Sequence, residues 1–477
     1  MTATVELPLW LALAGGAVCA WFLASRLLLP GVRWYFRRRI NKLATSLNQR
    51  LHLKIPTIAM TKREVLVDRL VYDPKVLREL ARYCERAGVP PEIALRQVQR
   101  YAREIVPAFN AYLYFRLGNR IGRAIVNMLY RVRLGHADTR ALRQIPPNAS
   151  VVFVMNHRSN IDYILVAYLA SKRVALSYAV GEWARVWPIQ QIIRSLGAYF
   201  VRRGSGNELY RRVLERYVQM AIDGGAVQAI FPEGGLTRDG LLRPPKIGLL
   251  DYMLRAYDPA GERDIVFVPV GLNYDRVLED RTLLAESGAK DERRSGIATV
   301  RNALAFIISQ LWLRLRGRWY RFGYACANFG APISLRSYLA RAGWDPSKLD
   351  RAERFQRVTE LAADLMNAVG HVVPVLPVSL VAHVFIDAPE QPLSEEGILT
   401  RALELQRRYE ALGAHVYVPR SDADYSVLVG LRMLKLRNLV IEEGGRYRLN
   451  PAEVAVVRYY ANAIAHLTEP VSAHLKL

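Results

Sequence analysis

The chain has 477 residues, 51% of them hydrophobic, and a formal net charge of +24. Such a composition excludes a disordered or low-complexity protein and allows two or three domains. Three widely separated cysteines, Cys19, Cys84 and Cys326, argue against a disulfide framework and a zinc site.

The charge selects anionic partners: nucleic acid, anionic lipid headgroups or acidic carrier substrates. No helix-turn-helix, zinc-finger or RNA-recognition signature accompanies it, so nucleic acid is not an expected partner. At the N-terminus, Leu7 to Ser25 carries no charged residue, and Arg26 is followed by Leu27, Leu28 and Leu29. About 20 apolar residues span a bilayer core, so residues 1–30 are expected to form a transmembrane or membrane-anchoring helix. Glu6 before the run disfavours a cleaved signal peptide, which wants a basic segment first. Arg26, Arg33, Arg37, Arg38, Arg39 and Lys42 follow the run, which places the bulk of the chain on the cytoplasmic face. The same basic stretch suits an anionic phospholipid membrane, which is expected to be the inner membrane of a bacterium.

Residues 31–145 read as a helical region. Lys75 to Ala87 has helical spacing and stops at Gly88, and Pro91-Glu92 suits the first turn of a second helix. Ile105 to Leu134 mixes apolar residues and arginines near helical period, fitting either a lipid surface or a helix packed on the protein. From about 146 short apolar runs alternate with helical stretches. Val151–Met155, Ala175–Val180, Ala198–Val201, Val227–Phe231 and Ile265–Gly271 are expected to be buried strands. Strands alternating with helices predict an α/β fold with a mostly parallel sheet covered by helices, over residues 146–344. Such sheets carry their sites at the carboxyl ends of strands. Residues 345–477 read as a C-terminal helical domain, with Pro374 and Pro377 interrupting the apolar run Val372–Val384 and turns near Gly413 and Gly444-Gly445.

Four polar clusters follow expected strands. In Asn156-His157-Arg158-Ser159-Asn160-Ile161-Asp162, an Asp162 that opens a helix lets the preceding loop fold His157 back onto its carboxylate. That is the base-and-orienter half of a catalytic triad, and it needs no enzyme nucleophile if the substrate brings a hydroxyl. Ser159 lacks the glycine-flanked elbow of a serine nucleophile. In Gly197 to Gly204, Arg202 and Arg203 follow a strand and can meet a phosphate with paired N–H donors. In Phe231 to Gly240, Gly234 and Gly235 allow close backbone approach, Glu233 can hold a hydroxyl or an arginine, and Arg238 and Lys246 add charge. Val266 to Val277 is a strand with a polar tip, mostly structural by its own residues.

Together and in this order, the clusters resemble the glycerolipid acyltransferase superfamily, most closely its glycerol-3-phosphate acyltransferase branch. His157 to Asp162 matches the family's His-x-x-x-x-Asp motif. Gly197 to Arg203 resembles its Gly-x-Phe-Phe-Ile-Arg-Arg motif, and Glu233 to Arg238 its Glu-Gly-Gly-Arg-Ser-Arg motif. Val268 to Arg276 matches Val-Pro-Val-x-x-x-Tyr-Asp-Arg, and Asn328 to Ile333 the segment beyond it. The likeness is specific over residues 145–340. It implies His157 as general base, Asp162 as its partner, and Arg202, Arg203, Arg238 and Lys246 as ligands of the glycerol 3-phosphate phosphate. Arg158, Ser159, Glu233, Gly234 and Gly235 are expected to complete the acceptor site. The implied co-substrate is an acyl-CoA or acyl carrier protein thioester, with no cofactor and no metal. Leu236 departs from the pattern, standing where the branch usually has Arg, and Phe-Pro-Glu-Gly is nearer to lysophosphatidate acyltransferases. Acylation of lysophosphatidate or dihydroxyacetone phosphate, hydrolysis of a thioester at the same dyad, and a non-catalytic membrane scaffold binding anionic lipid are the alternative expectations.

Overall fold

The structure is a computed structural model that describes residues 61–109, 114, 118–170, 176–180, 189–202, 206–255, 257–287, 316 and 321–468. The expected N-terminal anchor, Cys19 and Arg203 lie outside them. No helix among the described residues is long and apolar enough to cross a membrane. The described residues all belong to one compact unit.

Three helices open the described chain: α1 (Arg63–Val71), α2 (Pro74–Ala87) and α3 (Pro91–Ile105). The Asp73 side chain accepts the Lys75 and Val76 N–H groups at the start of α2, and Gly88, at φ 61°, ends it. The Gly88 stop is the one legible in the sequence, while the Asp73 cap adds a start signal before it. After α4 (Asn119–Leu129) the chain enters a strand, β1 (Arg131–Ala137), in a stretch expected to be helical. β1 is a sheet edge with mostly exposed side chains, so it lacks the apolar run that marks a buried strand.

The α/β alternation then unfolds as expected. It runs α5 (Thr139–Arg143), β2 (Ser150–Met155), α6 (Asp162–Ala170), β3 (Leu176–Val180), α7 (Ile189–Ser195), β4 (Ala198–Phe200), α8 (Glu208–Asp223), β5 (Val227–Ile230), α9 (Gly248–Leu254) and β6 (Ile265–Tyr274). Next come α10 (Asp280–Ser287), β7 (Tyr324–Phe329), β8 (Ile333–Ser334) and α11 (Leu335–Ala342). The sheet order is β1-β7-β6-β2-β5-β3-β4, with β8 beside β6. Pairing is parallel from β6 through β2, β5 and β3 to β4, and again between β1 and β7. β7 and β8 pair antiparallel with β6, so β1, parallel to β7, also runs against it.

Strand periodicity assigns the side chains to two layers. Val152, Val154, Ile265 and Phe267 point into a core shared with α1, α2, α3, α8, α9 and α12 (Arg351–Val372). Phe153, Met155, Val268, Val270, Leu272 and Tyr274 point the other way. They meet α4, α6, α13 (Pro377–Asp387), α14 (Glu395–Ala411), α15 (Ala423–Leu436) and α16 (Val454–Ala465). The core therefore runs across the boundary placed near residue 344. Pro377 opens α13, as the interrupted apolar run suggested. The C-terminal region is not wholly helical. β10 (Val440–Glu443) and β11 (Arg446–Leu449) form a hairpin through Gly444 and Gly445, both at positive φ, and β11 pairs with β9 (Leu393–Ser394).

Two glycines let the C-terminal helices approach the sheet layer. A Cβ at Gly271, within β6, would stand 2.2 Å from the Val372 carbonyl oxygen at the end of α12. One at Gly240 would stand 2.0 Å from the Tyr459 carbonyl oxygen in α16. Backbone on both sides leaves little room to yield. Gly271→Ala is expected to destabilise the fold by roughly 1–3 kcal/mol, read as a lower denaturant midpoint; an unchanged midpoint would show that the β6–α12 contact can open freely.

Candidate active site

The carboxyl ends of β2 and β5, adjacent parallel strands, carry the first and third motifs. β2 ends at Met155 and the loop turns into α6 at Asp162. Asp162 is completely buried and its carboxylate organises that loop. Oδ2 accepts the Arg158 N–H at 2.7 Å, the Ser159 N–H at 3.0 Å and His157 Nδ1–H at 2.9 Å. Oδ1 accepts the Tyr274 hydroxyl at 2.6 Å. An acceptor-only carboxylate fixes the tautomer: Nδ1 carries the proton and Nε2 presents its lone pair.

The imidazole is held on every other side. Its backbone N–H donates to Glu233 Oε1 at 2.8 Å, and its carbonyl accepts the Thr237 N–H at 3.1 Å. The Phe231 ring stacks on it, with centroids 4.0 Å apart and planes at 26°. His157 is only 7% exposed, and that exposure opens onto a cavity of about 420 Å³. Arg202, Arg211 and Lys246 contribute cations to the cavity wall, and Val180, Val201, Leu214, Ile230, Leu249 and Leu250 make it apolar. Cationic and apolar surface thus meet at one imidazole edge.

The expected site residues divide sharply by placement. His157, Arg202, Gly234 and Lys246 line the cavity. Arg202 does so while its guanidinium grips Glu104 with two bonds, 2.9 and 2.6 Å, above the rings of Tyr101 and Tyr210. Glu104 holds the Arg202 charge even more firmly than an ordinary arginine's. Gly234, at φ 69°, lies against Lys246: a Cβ there would fall 2.6 Å from Lys246 Cδ. Its N–H donates to the Phe231 carbonyl and so serves the turn itself. Gly235 and Arg238 are half-buried and are not among the cavity-lining residues. Leu236 packs against the core, so the arginine lacking at that position has no counterpart there.

Three residues expected to meet the acceptor are instead part of the support. Arg158 is 2% exposed, and its guanidinium donates to the carbonyls of Gly240 at 2.7 Å and Ala463 at 2.9 Å. Burial with two backbone partners satisfies it where it lies, away from the cavity. Ser159 is fully buried, and its hydroxyl donates to Glu279 Oε2 at 2.8 Å. Glu233 faces backbone, accepting from His157 and, at 3.3 Å, from the Arg243 N–H; its burial pushes it up to about 8. It shapes the site by fixing the backbone of His157.

Several contributors were not picked out from the sequence. Tyr274 sits in the strand read as mostly structural, and only its place in the Val-Pro-Val-x-x-x-Tyr-Asp-Arg segment hinted at a role. Glu279, which also accepts from Asn160 N–H and Nδ2, lies in no motif, and burial raises its carboxyl above the ordinary range. Glu104 and Arg211 come from helices with no local signal.

Comparison with known proteins gives two family matches: the acyltransferase family over residues 136–273, and the glycerol-3-phosphate acyltransferase C-terminal region over residues 310–472. The chain is 31% identical over 427 residues to a glycerol-3-phosphate acyltransferase of Pseudomonas paraeruginosa, covering 86% of this chain and 49% of that one. It is 28% identical over 421 residues to a protein of the same name from Pseudomonas entomophila, with the same coverage. The chain therefore spans about half the length of the curated relatives it matches. A solved 1-acyl-sn-glycerophosphate acyltransferase from Thermotoga maritima aligns with 63% of this chain and 93% of its own, at 13% identity and a TM-score of 0.29.

Two outcomes are expected of the supporting shell. Tyr274→Phe leaves Asp162 Oδ1 buried with one donor fewer and should cost about 1–3 kcal/mol in chemical denaturation; no loss would show that the hydroxyl contributes nothing. A carboxyl raised from 4.5 to about 8 on folding binds its proton more tightly folded than unfolded. Its stabilising contribution is complete below pH 4.5 and is lost as pH climbs through about 8. Glu233→Gln should therefore flatten the fall in denaturation midpoint over that window, and an unaltered slope would count against a neutral Glu233.

Proposed function

We propose, from its two family matches and its site geometry, that the chain is a glycerol-3-phosphate acyltransferase, moving a fatty acyl group from a coenzyme A or acyl carrier protein thioester to the sn-1 hydroxyl of glycerol 3-phosphate. The product is a lysophosphatidate for phospholipid synthesis. One observation carries the reading: a His157 imidazole, oriented by Asp162 at 2.9 Å, meets a cavity whose wall is both cationic and apolar. The cations suit the acceptor's phosphate and the apolar wall suits an acyl chain. A thioester hydrolase would need the apolar wall as well, but its water acceptor would need no cations beside the imidazole.

Nε2 of His157 removes the proton from the acceptor hydroxyl as its oxygen attacks the thioester carbonyl. The new C–O bond forms a tetrahedral oxyanion. Collapse of that oxyanion breaks the C–S bond, and the imidazolium returns its proton to the departing thiolate. Asp162 stabilises the imidazolium between the two transfers, with no need to take a proton itself. Arg202 and Lys246 hold the phosphate. Arg203, in the same motif, is assigned to that set by resemblance alone. In this scheme the donor supplies the activated acyl group, so the protein needs no resident metal or cofactor.

We place the protein at a membrane, with the reaction domain on the cytoplasmic face of a bacterial inner membrane. The apolar run Leu7–Ser25, the arginines after it and the net charge of +24 support this placement. Anionic phospholipid is the partner they suit, and a bilayer both supplies and receives acyl chains.

The test is an acceptor screen with radiolabelled acyl-CoA and acyl carrier protein thioesters, offering glycerol 3-phosphate, lysophosphatidate and dihydroxyacetone phosphate. Transfer to glycerol 3-phosphate is expected to dominate. His157→Ala should lower turnover at least about a hundredfold while far-ultraviolet circular dichroism stays native; turnover within about tenfold of the parent would rule out the general-base mechanism.

A further inference from the structure

Beside the reaction cavity along α8 lies a second concavity of about 620 Å³. Seven arginines and four glutamates line it, a surplus of positive charge. Arg211 and Tyr252 belong to the walls of both cavities. One helix thus presents Leu214 to the apolar side and Arg212 and Glu215 to the charged side, with Arg211 at the junction.

Most of these arginines are already braced. Arg86 pairs with Glu79 and Glu208, Arg212 with Glu79 and Glu215, and Arg255 with Glu215. Asp251, behind the wall, holds Arg255 and Arg354. Two others feel the charge of Glu208 without forming a direct ion pair to it among the described residues. Arg211 reaches only the Gly206 carbonyl, at 3.4 Å, and Arg351 makes no ion pair. Two guanidinium groups with donors to spare, set among others held in place, form a ready receptor for phosphate.

We propose that this concavity takes the phosphate-bearing nucleotide end of a coenzyme A thioester, with the acyl end passing Arg211 into the reaction cavity. The inference rests on the function proposed above. It deepens that function by choosing the donor. The shape favours the small ligand: a concavity of this volume falls within the range of about 300–1,000 Å³ usual for small-molecule sites. An acidic carrier protein would need roughly 800 Å² of matching surface on each partner. The position also fits the chemistry, because the phosphates of coenzyme A stand at the opposite end of a long arm from the sulfur.

The experiment measures equilibrium binding of coenzyme A to the full chain, with pantetheine, which lacks phosphate, as the control ligand. Arg351→Glu combined with Arg82→Glu should weaken coenzyme A at least about tenfold by replacing two cations with anions. Binding of pantetheine should not change. Glu85→Gln removes an acid from the wall and should tighten coenzyme A by about two- to threefold, a gain that misfolding cannot mimic. Equal weakening of both ligands, or coenzyme A binding unmoved by either variant, would overturn the assignment. So would a parent protein that ignores coenzyme A, or charge variants that lose binding to phosphatidylglycerol vesicles and keep coenzyme A. The acceptor screen is independent: a chain that binds coenzyme A here yet acylates none of the three acceptors refutes the transferase reading and leaves the nucleotide site standing.

Discussion

A single buried carboxylate, Asp162, sets the geometry on which the rest of the site depends. It accepts two backbone N–H groups, one imidazole N–H and one phenol hydroxyl. Hydrogen bonds to a charged group contribute about 1.5–3 kcal/mol each, and a fully buried carboxylate without them would be untenable. The loop from His157 to Ser159 consequently has little choice but to wrap around Asp162. The imidazole orientation follows from this satisfaction of charge, and catalytic poise and local stability share one cause.

The shell around that carboxylate draws on most of the chain. Tyr274 comes from the longest strand of the sheet, Glu233 from the neighbouring β5 turn, and Phe231 caps the ring from the same turn. Arg158 then ties the loop to Gly240 and to α16, while the Gly240 backbone lies directly against Tyr459. The C-terminal helices therefore act as a clamp on the loop that bears the base. Their role is mechanical, and it explains why a region remote in sequence shares a core with the sheet.

The sequence made the sheet legible because its strands are short, apolar and followed by polar turns. Val151–Met155 and Val227–Phe231 were nearly right in extent, and the dyad followed from a histidine and an aspartate flanking a helix start. Edge strand β1 escaped because an exposed strand loses the apolar signature that burial imposes. The roles of Arg158 and Ser159 escaped for a different reason. Residue type and motif position say that an arginine is near the site, but the direction of its guanidinium depends on carbonyls in α16, 305 residues away. Glu104 and Arg211 likewise enter through packing of helices that carry no local mark.

The bond from Arg158 to the Ala463 carbonyl has a temporal side. On the ribosome, the sheet strands that frame His157 emerge long before residue 463 exists. Until then the Arg158 guanidinium has no partner on that side and the loop lacks one of its anchors. Contacts so distant along the chain form late, after the loop-closure entropy has been met. A nascent chain would thus carry a half-assembled centre until α16 has emerged.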